Sequence, residues 1–395
     1  MKNNEVNESL IDLLFLLVGF EVFGNPIKSK DIEKYDFSPE ALENLLSISK
    51  AHDIAHLIAS ALRKLGKLGN DEISKELNRH QISAVIRNER ITLDQKKISD
   101  ALEGAGIDFL PLKGSVIREY YPEPFMRTSG DIDIFVDYER LEDIKRVFSD
   151  ELGFKEGDGW INEKSFFSNY NTHIEVHFFI EKDESSEIPE KKVLYDAWSH
   201  AEIKEGKKHE KALPWEYFYL YHIVHMAKHF KGGGCGIKPY IDLFILNNRI
   251  GVDKKKSDEL LRKYSLLDFS KCSDSLAEAW FSDGIHNDVT LKMQRYIISG
   301  GVYGSITNKV AVKRTKNGRF GYILSLIFLP YSRFRYKYPI VIKYKFLYPF
   351  VQVYHWIKLV FRGGFKLLLR EYKKNEDVSK ETVNETSDFF KKIGL

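Results

Sequence analysis

The chain has 395 residues, a formal net charge of +3, 43% hydrophobic residues and 30% charged residues. That length exceeds what one compact core usually organises, and the ordinary hydrophobic fraction excludes wholesale disorder. Two cysteines, Cys235 and Cys272, exclude a disulfide framework and a four-cysteine zinc site, as suits a reducing cytosol.

Near the start, the apolar run Leu10 to Phe20 is interrupted by Asp12, which predicts an amphipathic helix and not a signal peptide. No stretch reaches the roughly 18 apolar residues of a membrane span, so the expected location is the cytoplasm. Between Pro39 and Leu65, Leu42, Leu45, Leu46, Ile48, Ile54, Leu57, Ile58 and Leu62 recur at helical spacing behind Ser38, a suitable N-cap. Helical pattern resumes from Glu72 and stops at Gly104 and Gly106. The texture then changes. Ile107 to Leu112 is a short apolar run, Val116 to Tyr121 predicts a short helix ended by Pro122 and Pro124, and Asp131 to Val136 alternates as a strand. Leu141 to Leu152 predicts a helix closed by Gly153, and His173 to Phe179 a second strand. A long helix follows from Pro214 to Phe230, broken by Gly232, Gly233, Gly234 and Gly236, with another from Tyr240 to Asn248. The remainder is helical in tendency and rich in Tyr and Phe, with a charged, mobile tail expected after Glu371.

Chemistry concentrates in the strand–helix–strand centre. The two-residue period sends Asp131 and Asp133 to one face of their strand and Ile132, Ile134 and Val136 to the other. Two carboxylates so placed repel by about 1 kcal/mol in water and about 4 at intermediate dielectric. An enclosed site must therefore protonate one or neutralise the pair with a cation. Oxygen ligands on a rigid strand suit Mg²⁺, with Mn²⁺ as the other candidate. On the second strand Glu175 shares a face with His173 and His177, while Ile174, Val176 and Phe178 face the core. If the strands are neighbours, Asp131, Asp133 and Glu175 form a cluster able to hold two metals about 4 Å apart. Upstream, Leu112-Lys113-Gly114-Ser115 offers a glycine that lets backbone amides approach phosphate and a serine hydroxyl at a helix N-terminus. Lys113, Arg118 and Arg127 supply positive charge nearby.

Together these segments resemble the DNA polymerase beta-like nucleotidyltransferase superfamily, whose core signature is a Gly-Ser turn, an Asp-x-Asp strand and a later strand carrying a third acid. More closely, Leu112 to Ser115, Arg127 to Ile134 and Ile174 to His177 look like a bacterial group of uncharacterised nucleotidyltransferase-like proteins. The likeness covers about residues 105 to 180, with a weaker extension to about 250 through His225-Met226-Ala227-Lys228-His229 and Asp242. The resemblance implies that Gly114 and Ser115, with Lys113 and Arg127, hold the triphosphate of an NTP donor. It implies that Asp131 and Asp133 hold metals and that Glu175 completes the catalytic and metal-binding trio. The interval from Ser115 to Asp131 is slightly longer than the superfamily usually has, with the excess placed in Tyr121 to Phe125.

Other features have bland and functional readings. His222, His225 and His229 share one helix face and either line a nucleotide cleft or core, or bind zinc. His177 either approaches the metals or hydrogen-bonds along its strand. Gly232 to Gly236 is a flexible turn at a helix terminus or a phosphate cradle, Lys228 a solvated residue, and Asp242 a candidate contact to nucleotide or acceptor. From Val289 to Arg370 there is no Asp or Glu, and Tyr331 to Phe365 mixes Arg333, Arg335, Lys337, Lys343 and Lys345 with tyrosines and phenylalanines. Region 311–370 is thus a solvated basic face, or one that meets nucleic acid or anionic lipid.

The expected architecture is α+β, a small mixed-sheet core flanked by helical regions. Its parts are an N-terminal helical region (1–103), a nucleotidyltransferase core (104–185), a helical extension lining the cleft (186–255) and a basic, aromatic-rich helical region (256–395). The expected activity is metal-dependent transfer of an NMP from an NTP to a hydroxyl or phosphate acceptor. Its rivals are an inactive fold that binds nucleotide, nucleic acid or a partner protein, and a membrane-surface accessory protein.

Overall fold

A computed structural model describes residues 8–159, 163–178, 189–328, 331, 334, 338, 340–361 and 364–395. Among them the fold is α+β, with a five-stranded mixed sheet set among helices. The strands are β1 (Phe109–Pro111), β2 (Asp131–Val136), β3 (Lys155–Glu156), β4 (Glu163–Phe167) and β5 (His173–His177), in the order β1-β2-β5-β4-β3. β2 and β5 run parallel at the centre, and the other pairings are antiparallel. The sequence expectation of two neighbouring strands therefore holds. β3 and β4 escaped it because Lys155-Glu156 and Glu163-Lys164 lack an apolar alternation, and pairing to β5 organises them instead.

Alternation on the central strands creates two apolar layers. Ile132, Ile134, Val136, Ile174 and Val176 are buried with Ile91, Ile98 and Leu102 of the helix Glu72–Gly104. Ile144, Val147 and Phe148, from the helical segment after β2, close this layer. Each such side chain contributes about 1.5–3 kcal/mol on leaving water. On the other side, Leu110 and Phe135 join a larger cluster built from helices Glu8–Val18, Pro39–Ala51, Ala55–Lys64, Trp215–Lys231, Lys238–Ile245 and Leu267–Phe281. Leading and trailing helices thus share one core, which covers the sheet face bearing Asp131 and Asp133 only in part.

Two expectations are corrected and one unforeseen element is added. The helical pattern from Pro39 to Leu65 breaks at His52-Asp53-Ile54, where Asp53 has φ 53° and the chain restarts at Ala55. A separate two-stranded antiparallel sheet, Glu202–Ile203 with Lys211–Ala212, had no strand signature. The tail after Glu371 is ordered: Lys380–Lys392 is a helix whose Phe389 and Phe390 are buried, as is Ile393 beyond it. Phe390 lies 5.7 Å from the Phe230 ring, and Arg314 Nη1 donates to the Asn375 and Val378 carbonyls at 3.0 and 2.6 Å. Sparse apolar residues on one face suffice to dock a helix whose other faces are charged.

Two buried histidines sit near the break. His52 Nε2 meets the Ile298 carbonyl at 3.3 Å and His56 Nε2 the Met126 carbonyl at 2.9 Å. Burial pulls both down to about 4, against the smaller upward pull of those carbonyls. The unfolded chain takes up these protons near pH 6.5 and the folded chain only near pH 4. Their stabilising contribution is therefore complete above pH 6.5 and lost as pH falls toward 4. We expect roughly 2 kcal/mol per histidine to be gone by pH 5. Thermal melts of wild type and His52→Gln/His56→Gln at pH 7 and pH 5 check this; an equally steep loss in both proteins would refute it.

Candidate active site

The parallel register sets Asp131 opposite His173, Asp133 opposite Glu175 and Phe135 opposite His177. Side chains at matched positions of paired strands point to the same face, so three acids and two histidines crowd one patch of sheet. Asp131, His173 and Glu175 offer ligand atoms within 4.8 Å of one another, and so do Asp133, Glu175 and His177. Glu175 belongs to both groups. Asp133 is buried, while Asp131 and Glu175 keep partial access to solvent.

Charge in this patch is offset from within only at Asp133. Lys113 Nζ lies 2.6 Å from Asp133 Oδ1, and His177 Nε2 lies 2.8 Å from the same oxygen. Burial pushes the Asp133 carboxyl up, but Lys113 and His177 outweigh it and hold it well below the usual carboxylate range. Burial and the adjacent Asp133 raise Asp131, and the same two causes, with Glu163 and Asp131, push Glu175 up to about 7. Asp133 thus stays ionised against its internal cation while its neighbours resist ionisation, the conflict foreseen for paired carboxylates.

The Gly-Ser turn is tied directly to this strand, because the Leu112 amide donates to the Asp133 carbonyl at 3.0 Å. Lys113 adopts φ 51° and ψ −125°, a conformation costly for a residue with a side chain, held in place by that bond and its ion pair. Gly114–Ile117 forms a single turn, too short for an appreciable helix dipole. A Cβ on Gly114 would sit 2.3 Å from Ser129 Oγ. Ser129 is in turn held by Arg118 Nη2 at 3.2 Å, while Arg118 Nε donates to the Gly114 carbonyl at 3.0 Å. The Ser115 amide is bonded to Leu112, yet its buried hydroxyl has no hydrogen-bond partner among the described residues.

Arg127 is paired with a different carboxylate. Its Nε and Nη2 bind the buried Asp242 at 2.8 and 2.7 Å, and its Nη1 donates to the Thr128 carbonyl at 2.7 Å. Tyr121 Oη donates to Asp242 Oδ1 at 2.6 Å. One residue on, Thr128 Oγ1 bonds Asp53 Oδ2 at 3.0 Å, with Lys238 Nζ 2.5 Å from that oxygen. The segment leading into β2 is therefore clamped to helix 238–245 by the Arg127–Asp242 ion pair and to the 52–54 break by the Thr128 hydrogen bond, with the Lys238–Asp53 ion pair joining the two supports. Asp242, a candidate ligand contact from sequence, is buried in the first of these clamps.

Of the histidines on helix 215–231, His222 is buried and bonds the Pro239 carbonyl at 2.8 Å. The rings of His225 and His229 are 4.4 Å apart. Among the described residues this trio is not one of the groups close enough to share an ion. Gly233 and Gly234, at φ 116° and 146°, press against backbone: a Cβ on Gly233 would fall 2.8 Å from the Ser305 carbonyl. That approach explains the glycine run as a packed turn. Ser129 and Glu163 were missed as neighbours of the site. Strand alternation had already put His173 beside Glu175, whereas Glu163 comes to the site only through the pairing of β4 with β5.

A family model described as uncharacterised nucleotidyltransferase matches residues 38–282. The chain belongs to that family. The match runs from the Ser38 cap to the end of helix 267–281, well beyond the segments whose motifs carried the resemblance. The protein is accordingly a nucleotidyltransferase, a transferase of phosphorus-containing groups. No curated protein and no solved structure matches the chain. Among the described residues of the nucleotidyltransferase, no helix is long and apolar enough to cross a membrane.

Proposed function

We propose that this nucleotidyltransferase moves a nucleoside monophosphate from an NTP to an acceptor hydroxyl or phosphate. The acceptor oxygen bonds to the α-phosphorus as the bond from that phosphorus to the pyrophosphate oxygen breaks. The carrying observation is the register that sets Asp133 directly beside Glu175, with Asp131 on the same face and the Gly-Ser turn bonded to the same strand.

The residues present fit a divalent cation. Carboxylates dominate the donor set, and two of them resist ionisation without added positive charge. Asp131, Asp133 and Glu175 would hold it, and the ion would neutralise negative charge on the phosphates and the leaving pyrophosphate. The carboxylates that dominate the ligand groups suit Mg²⁺ and Mn²⁺ alike. Ser115, with its unpartnered buried hydroxyl, and Gly114, whose missing side chain lets Ser129 pack against the turn, would receive the β- and γ-phosphates. Lys113 would exchange Asp133 for phosphate as the triphosphate arrives. Arg127 would act through the Asp242 clamp, fixing the approach to Asp131.

Incubation with NTPs labelled at the α-phosphate, with Mg²⁺ or Mn²⁺, tests the reading by pyrophosphate release and label transfer. Nucleotide binding with no release across a broad acceptor set would favour the inactive binding fold. The turn has its own test. Gly114→Ala should weaken NTP binding about tenfold or more and cost about 1–3 kcal/mol of stability by overpacking against Ser129. Adding Ser129→Gly should restore much of the stability. If Gly114→Ala alone is neutral in both measurements, the close approach is not required.

A further inference from the structure

Apolar exposure in this chain is concentrated where its acids are missing. In the helix Tyr348–Phe361, Phe350, Val353, Tyr354 and Ile357 stand at i, i+3, i+4 and i+7, and all four are exposed, Phe350 at 71%. The inward face of that helix is polar: Gln352 and His355 are buried, and Gln352 Nε2 donates to the Ile327 carbonyl at 3.2 Å. A helix packed on a globular core normally has the opposite arrangement. The apolar surface continues next door. Trp356 donates to the same carbonyl at 2.6 Å, and its ring lies 5.3 Å from the exposed Phe328. Just upstream, Ile342 and Phe346 are also exposed, the latter at 71%, with exposed Lys343 and Lys345 between them. Arg333, Arg335, Tyr336 and Lys337 lie outside the described residues.

We infer that this face docks the protein on an anionic lipid surface. Isoleucine, valine and phenylalanine enter the boundary between headgroups and acyl chains, tyrosine and tryptophan sit at headgroup level, and the lysines meet lipid phosphates. The charge pattern selects this occupant. With no Asp or Glu from Val289 to Arg370, a second copy would bring like charge against like. A nucleic acid would use the lysines and aromatic rings but leave Val353, Ile342 and Ile357 without a role, since stacking needs flat side chains. No described helix can cross a bilayer, so the contact is with one surface. The face lies outside the span matched by the family, residues 38–282, and the inference does not depend on the reaction proposed above.

The test is co-sedimentation of the full chain with vesicles of phosphatidylcholine alone or mixed with phosphatidylglycerol. The expected result is salt-sensitive binding to the mixed vesicles and little to the neutral ones. Phe350→Ser/Ile357→Ser and Lys343→Glu/Lys345→Glu should each weaken that binding about tenfold or more, with unchanged circular dichroism and melting temperature. Because these side chains are exposed, neither variant should disturb folding. Failure to bind the mixed vesicles at low salt overturns the inference, as does undiminished binding by the apolar variant. Binding to single-stranded RNA without vesicle binding would reassign the face to nucleic acid. A concentration-dependent dimer abolished by Phe350→Ser/Ile357→Ser, again without vesicle binding, would reassign it to a second copy.

Discussion

Asp133→Asn should abolish metal-dependent NTP binding and lower any transfer rate by about 10³-fold or more while leaving the protein folded. The magnitude is that of removing a group which holds charge at the reacting phosphate, in a site where a metal supplies several kcal/mol. Asparagine keeps the shape of aspartate and a carbonyl oxygen facing Lys113 and His177, which donate to Asp133 at 2.6 and 2.8 Å. The lost quantity is therefore chiefly the negative charge. Asp131→Asn, at a partly exposed position not paired with Lys113, should produce a similar loss of function with less effect on stability. Calorimetry with non-hydrolysable NTP analogues, with and without Mg²⁺ or Mn²⁺, reads the first quantity, and a thermal melt confirms folding. Wild-type affinity in folded Asp133→Asn would remove this carboxylate from the binding reading.

The second large effect lies away from the acids. Asp242→Ala leaves the Arg127 guanidinium buried without its bidentate partner and takes the acceptor from Tyr121. Breaking one side of a buried ion pair costs about 3–5 kcal/mol, because the remaining charge cannot return to water. In a thermal melt this is a drop of roughly 5–10 °C. NTP binding should weaken as well, since Thr128, Ser129 and Gly130, which follow Arg127, lead directly into β2. The double variant Arg127→Met/Asp242→Leu separates the two effects. It removes both charges, so much of the stability should return. If Asp242→Ala melts within a degree of wild type, the clamp does not hold this segment.

Local pattern carried a good part of the candidate site. The alternation in Asp131 to Val136 and in His173 to His177 is a consequence of strand geometry, so the shared face of Asp131 and Asp133, and of Glu175 with its histidines, follows from residue order. Caps and breakers act over three or four residues, which is why Ser38 and the break at Gly153 were legible. The sparse face of Phe389, Phe390 and Ile393 was not, because its partners Phe230 and Tyr296 lie far away in the chain.

What the chain order determined by itself was chemistry presented on elements: a charged strand, a Gly-Ser turn, an acid on a later strand and a basic stretch without acids. Tertiary structure alone decided which of these meet. Parallel pairing of β2 with β5, across an intervening helix and two further strands, set Glu175 beside Asp133. Long-range ion pairing assigned Lys113 to Asp133 and Arg127 to Asp242, where the sequence showed only four charges. The physical reason is range. Backbone sterics and side-chain alternation act between neighbours in the chain, whereas a buried charge selects its partner from whatever the fold brings within reach.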